Sequence, residues 1–195
     1  KDVHSLTASN LYGIEESEVS EEQRRIGKMI NFSIIYGISS YGLASRLRIP
    51  TNVAEEMISN YFKAFPEVRA FIKDTISEAK DKCFVRTMFG RKREIPQFKT
   101  KNRNVIQEGE RIAINTPIQG TAADIMKMAM IKIYNLLKEK EMESFAILQV
   151  HDEMVYEAPE KEIEKLKEIL KEGMSEVVEL SVPLDIEISV GDYWC

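Results

Sequence analysis

The sequence is poor in the residues that build covalent or metal-stapled folds: 195 residues hold two cysteines, Cys83 and Cys195, and two histidines, His4 and His151. That count gives no ligand spacing for a structural zinc and no disulfide framework, so cysteine chemistry is not expected here. No run of about 18 apolar residues occurs, which argues against a membrane-spanning helix, and the start, Lys1-Asp2-Val3-His4, has no charged-then-apolar leader. A cytoplasmic protein is the expectation. Low-complexity linkers and internal repeats are lacking too. What remains is 44% hydrophobic and 30% charged residues, the balance of an ordinary globular chain able to bury a core.

The formal charge of -5 argues at first against a nucleic-acid partner. Net charge describes the whole surface, however, and a binding site needs only a local basic stretch. Residues 86 to 103 supply one, with Arg86, Arg91, Lys92, Arg93, Lys99, Lys101 and Arg103 against the single acid Glu94. Alone, the stretch reads equally well as a solvated charged turn.

Local signals predict helices first. Ser20 precedes Glu21 and Glu22, and Ile26, Met29, Ile30 and Ile34 recur at helical spacing before Gly37, so residues 20–36 form a capped helix. Further helices are expected from Ser39 or Ser40 to just before Pro50, from Asn52 to Phe65, and from Glu67 to Lys82, because proline interrupts helical hydrogen bonding. Residues 84–95 then read as a small hairpin around Phe89 and Gly90. Asn104 to Lys138 is a long helical stretch in which Pro117 forces a kink or a break. Two strand-prone runs, 145–150 and 154–157, flank His151, Asp152 and Glu153 as an antiparallel hairpin. An amphipathic helix over 161–170 and a strand over Leu184–Val190, with alternating apolar and polar residues, complete an α+β fold.

Two features carry chemistry. Arg24, Lys28, Phe32 and Tyr36 recur every four residues and make one ridge on the first of these helices. Two cations followed by two aromatic rings suit a triphosphate at one end and a sugar and base at the other, although a surface helix with two half-buried rings would look the same. The second feature is the acidic turn. Adjacent carboxylates between buried strands would be held near the interior, where negative charge is costly without a cation. Hard divalent ions suit such groups and serve phosphoryl transfer, whereas a solvated turn is the plain alternative.

The string Arg24-Arg25-Ile26-Gly27-Lys28-Met29-Ile30-Asn31-Phe32-Ser33-Ile34-Ile35-Tyr36-Gly37 closely resembles the fingers helix of family A DNA polymerases. Gln149-Val150-His151-Asp152-Glu153 resembles that family's palm motif, and Glu110 to Asp124 is similar to its long palm helix. The resemblance implies a fingers portion over 1–103, containing the nucleotide-binding helix 20–36 and the hairpin 84–95, and a palm portion over 104–195 with the acidic turn 151–153. It further implies that Arg24 and Lys28 hold the triphosphate of a deoxynucleotide, that Lys28 protonates the leaving pyrophosphate, that Phe32 packs on the sugar, and that Tyr36 guards the templating position. His4, in Val3-His4-Ser5-Leu6-Thr7-Ala8, falls where a phosphate-touching histidine stands in the family. Asp152 corresponds to the ligand of two catalytic magnesium ions, Glu153 to a supporting carboxylate, and His151 to a contact with the primer end. Arg111, Asn115 and Gln119, spaced by four, would sense the minor groove of primer-template DNA.

The implied activity is template-directed DNA synthesis in replication and repair. The family's other metal-binding aspartate, in an Asp-Tyr-Ser string, is not found here, and its thumb precedes the segment where this chain starts. The chain alone is therefore expected to be inactive without the N-terminal palm and thumb part of the same polymerase. Two rivals follow from the residues: a primer-template-binding module without chemistry, and a metal-dependent phosphohydrolase using the acidic turn. The second leaves the ridge on 20–36 without a purpose.

Overall fold

A computed structural model describes residues 2–194. Helix α1, Val3–Tyr12, is capped by the Asp2 carboxylate, which accepts from the His4 backbone N–H. After a 3-10 turn at Glu16–Glu18 comes α2, Glu21–Ile35. Ser20 and Gln23 cap α2 reciprocally: the Ser20 side chain accepts from Gln23 N while the Gln23 side chain accepts from Ser20 N. The helix ends at Tyr36, and Gly37 takes a left-handed φ of 68° that favours glycine. Helices α3 (Ser40–Leu47), α4 (Thr51–Ala64) and α5 (Pro66–Lys82) follow, starting and stopping where Ser39, Pro50 and Pro66 dictate. Ile30 and Ile34 of α2 pack with Leu43, Ala44, Ala54 and Tyr61 in one apolar core.

Strands β1 (Phe84–Arg86) and β2 (Lys92–Glu94) pair antiparallel as a short hairpin. Val85 and Ile95 join Ala79 and Ala113 in a second core. A 3-10 turn at Pro96–Lys99 leads into α6, Arg103–Glu139, which runs without interruption through Pro117. The alternative of two separate helices does not occur. Pro117 has no N–H to give to the turn before it, and the Thr116 hydroxyl donates to the Ile112 carbonyl oxygen at 2.7 Å.

Two compact units divide between Ile118 and Gln119. In the second, β3 (Phe145–Val150) and β4 (Glu153–Glu157) form an antiparallel hairpin. A 3-10 turn at Glu160–Glu162 and α7, Ile163–Ser175, come next. Ile133, Leu137, Leu166 and Ile169 form this unit's core, with Met154 and Tyr156 packed on it. Burial pushes the Tyr156 phenol up to about 12.

The strand expected over Leu184–Val190 does not form: that segment carries no strand among the described residues, and each sheet has two strands only. Leu184 and Ile186 are half-buried between exposed Asp185 and Glu187, so the alternation survives at its start as burial. A strand also needs a neighbouring edge for its backbone groups, and β3 and β4 pair only with each other. No helix of the described residues is long and apolar enough to cross a membrane.

Candidate functional site

On α2 the four-residue repeat becomes a physical ridge. Ile30 and Ile34 turn inward to the core, which leaves Lys28, Phe32 and Tyr36 facing out. Phe32 is 42% exposed and Tyr36 44%, far too open for core residues. Their rings are nearly parallel, 12° apart with centroids separated by 6.1 Å. His4, from α1, adds a third ring with its centroid 5.9 Å from that of Phe32.

The charged end is arranged differently. Arg24 Nε donates to Asp2 Oδ2 at 2.5 Å. The Arg24 guanidinium, with help from the N–H of His4 and the Ser5 hydroxyl, holds the Asp2 carboxyl well below the usual carboxylate range. Lys28 is exposed and makes no ion pair or hydrogen bond among the described residues. An unpaired ammonium beside a paired guanidinium is a surface ready for a polyanion.

Sequence reasoning missed three residues that organise this surface. Asp2 both caps α1 and engages Arg24. Gly27 is the contact point between α1 and α2, since a Cβ there would lie 2.4 Å from the His4 carbonyl oxygen. Asn31, buried, reaches Thr7 Oγ1 and His4 Nδ1, each at 3.0 Å. The available signals were a glycine and an amide inside an otherwise well-formed amphipathic helix.

Arg111 and Asn115 lie on α6 in the same unit as the ridge. A Cβ at Gly37 would meet Arg111 Cγ at 3.2 Å, which sets Arg111 against the residue that follows Tyr36. Asn115 Oδ1 is buried and accepts no hydrogen bond from the described residues. Gln119 is the first residue of the second unit and is exposed. Within the basic stretch, Lys92 pairs with Glu94 and sits 4.3 Å over the Phe84 ring, and Arg86 donates to the Gly90 carbonyl oxygen at 2.7 Å. Lys99, Lys101 and Arg103 face solvent.

The acidic turn is tighter and more open than expected. Val150 pairs with Glu153, so His151 and Asp152 alone make the turn and Glu153 opens β4. His151 adopts a left-handed φ of 53°, and its carbonyl oxygen accepts from Gln149 Nε2 at 2.6 Å. Asp152 and Glu153 are exposed rather than held near the interior. The reason is β3, whose Phe145 and Ile147 are each 52% exposed, so the hairpin presents an open face. Trp194 Nε1 donates to Glu153 Oε1 at 3.0 Å, whereas Asp152 carries no side-chain partner among the described residues. Those residues hold no group of three or more histidines, cysteines or acids placed to bind a metal. Two adjacent carboxylates nonetheless are hard oxygen donors of the kind magnesium takes, so the hairpin fits part of a ligand set.

The ridge on α2 and the carboxylates at the tip of the β3–β4 hairpin are the features of the described residues with the chemistry to carry a function. The chain belongs to DNA polymerase family A, whose profile it matches over residues 1–195. It is 48% identical to DNA polymerase I of Caldicellulosiruptor bescii over 193 residues, covering 99% of this chain and 23% of that protein. Against the thermostable DNA polymerase I of Thermus aquaticus the identity is 42%, over all of this chain and 23% of the relative. The chain thus spans under a quarter of the length of these relatives. Among solved structures, the POL domain of Pol1 from M. smegmatis, in complex with DNA primer-template and dNTP, superposes with a TM-score of 0.91 at 38% identity, over 95% of this chain and 33% of that one.

Proposed function

We propose that this chain supplies the fingers helix and the acid-bearing palm hairpin of a template-directed DNA polymerase. The observation that carries the reading is the exposed ridge on α2: an unpaired Lys28, an Arg24 held only by an exposed carboxylate, and an open row of three rings formed by Tyr36, Phe32 and His4. Membership of the family and likeness to a polymerase domain solved with primer-template and dNTP support it.

Arg24 and Lys28 bind the triphosphate of the incoming deoxynucleotide, and His4 donates to a phosphate oxygen. Phe32 packs on the sugar and Tyr36 closes over the templating position. Arg111, Asn115 and Gln119 hold the minor-groove side of the primer-template, where every correct pair offers similar acceptors. His151 contacts the primer end. The primer 3'-hydroxyl gives up its proton to water as its oxygen attacks the α-phosphate, the bond to the bridging oxygen breaks, and pyrophosphate leaves with a proton from Lys28. Asp152 would hold magnesium, with Glu153 in support; when bound, the ions neutralise charge on the attacking and leaving oxygens. Orientation and charge neutralisation supply most of the rate.

On this reading the second metal-binding carboxylate and the grip on DNA come from a palm and thumb part outside this chain, and the chain alone is inactive. Primer extension with magnesium and four deoxynucleotides, run with this chain and with a longer one reaching through the thumb, tests the proposal. Extension by the longer chain alone is expected. Extension by neither, with primer-template bound, would favour a binding module without chemistry.

A further inference from the structure

Asn31 has no place in the ridge, yet it is a polar side chain only 5% exposed on the helix that carries the ridge. Both ends of its amide are engaged. Oδ1 lies 3.0 Å from Thr7 Oγ1, while Nδ2 lies 3.4 Å from the Val3 carbonyl oxygen and 3.0 Å from His4 Nδ1. Thr7 Oγ1 lies 2.8 Å from the Val3 carbonyl oxygen as well as 3.0 Å from Asn31 Oδ1, and its single proton serves one of them. With that proton on Asn31 Oδ1, the amide end facing the Val3 carbonyl, which can only accept, is the NH2 group. The same NH2 faces the imidazole, and His4 Nδ1 is therefore the acceptor of that hydrogen bond. In a neutral ring the proton then sits on Nε2. Nε2 has no hydrogen bond to a described residue, so it is the ring's available donor.

The surroundings leave the imidazole little freedom to change this arrangement. Gly27 lets the two helices approach until a Cβ would lie 2.4 Å from the His4 carbonyl oxygen. Phe32 stands beside the ring at 5.9 Å. We propose that Asn31 is a positioning residue that fixes His4 as its Nε2–H tautomer, so that an N–H rather than a lone pair faces a phosphate oxygen of the incoming nucleotide. This rests on the reading of the neighbouring ridge as a triphosphate site. The tautomer assignment stands on the hydrogen-bond set in which the Thr7 hydroxyl donates to Asn31 Oδ1.

The test is made in the longer polymerase chain that carries this segment. Asn31→Asp offers Nδ1 only acceptor oxygens, so in a neutral ring it draws the proton to Nδ1 and turns the Nε2 lone pair outward. Loss of a charge-assisted hydrogen bond predicts a rise in the deoxynucleotide KM of about tenfold, with kcat changed less than about twofold. In a His4→Gln background there is no ring tautomer to reverse, and Asn31→Asp should then raise KM less than about twofold further. His4→Asn, whose amide reaches only the Nδ1 position, should cost more than His4→Gln, whose amide reaches Nε2. Long-range proton–nitrogen correlation on chain labelled with 15N-histidine, assigned by loss of the signal in His4→Gln, should show an unprotonated Nδ1.

A protonated Nδ1 overturns the proposal, as does an Asn31→Asp cost that is unchanged in the His4→Gln background. Lys28→Ala separates the two levels. If Lys28→Ala leaves the deoxynucleotide KM unchanged, the triphosphate reading of the ridge fails, and the imidazole spectrum still decides the role of Asn31.

Discussion

Gly27→Ala sets two known effects against each other at one atom. Inside a helix, alanine is favoured over glycine by about 0.8–1 kcal/mol. Against that, the new Cβ would lie 2.4 Å from the His4 carbonyl oxygen, 3.1 Å from Ala8 N and 3.3 Å from Ala8 Cβ. Two of those atoms belong to the α1 backbone and cannot swing aside as a side chain can, so α1 must move as a body. Overpacking of this kind costs about 1–3 kcal/mol; a 2.4 Å approach to backbone falls in the upper part of that range, about 2–3 kcal/mol, so the net expectation is destabilisation by roughly 1–2 kcal/mol. For a chain of this size that lowers the melting temperature by about 2–8 °C. Thermal and urea melts of wild type and Gly27→Ala measure it, with Gly109→Ala as comparison. There a Cβ would meet Gln97 Cβ and Phe98 Cε1, each at 2.9 Å, side-chain atoms rather than backbone. A Gly27→Ala chain as stable as wild type, or more stable, would refute the claim that α1 and α2 interlock at this residue.

Asp2→Asn keeps a capping side chain on α1 but removes the charge from Arg24. Because the Asp2–Arg24 pair is exposed, the deoxynucleotide KM of the longer polymerase should fall by only about two- to threefold, an effect that fades with added salt. KM measured against ionic strength checks this. Glu162 accepts from the backbone N–H groups of Glu143 and Ser144 and from the Ser144 hydroxyl, and these donors lower its carboxyl from the ordinary value of 4.5. A depressed folded value means that its contribution is fully present above pH 4.5 and is lost as pH falls through the lower folded value. Melting midpoints between pH 7 and 3 should fall on the acid side for wild type. Glu162→Gln should show a lower neutral plateau and a shallower acid fall.

Much of the helical fold was legible because its boundaries are chemical events confined to a few residues. Ser20 and Gly37 bracket α2, Ser39 starts α3, and Pro50 and Pro66 separate the next helices. The ridge was legible for the same reason, since four-residue spacing on a helix is geometry that no partner has to supply. Other features were set by contacts distant in sequence. Residues 184–190 alternate like a strand, but pairing depends on a neighbouring edge, and burial alone did not make one. The acidic turn was expected near the interior because β3 reads as apolar, whereas Phe145 and Ile147 face outward. Asn31, Gly27 and Asp2 acquire meaning only when α1 lies against α2, bringing His4 and Arg24 to residues more than 20 positions away.

The central claim is that the α2 ridge and the acidic turn serve one templated reaction, and single-nucleotide primer extension by the longer polymerase tests it most directly. Wild type, Lys28→Ala and Asp152→Ala are compared with the nucleotide complementary to the template base and with a non-complementary one. The account predicts templated extension by wild type and loss of at least about 10³-fold in rate for Asp152→Ala, from removing a metal ligand at the reacting phosphate. Lys28→Ala should raise the deoxynucleotide KM and slow the chemical step. Undiminished extension by Asp152→Ala, or extension indifferent to the template base, would contradict it.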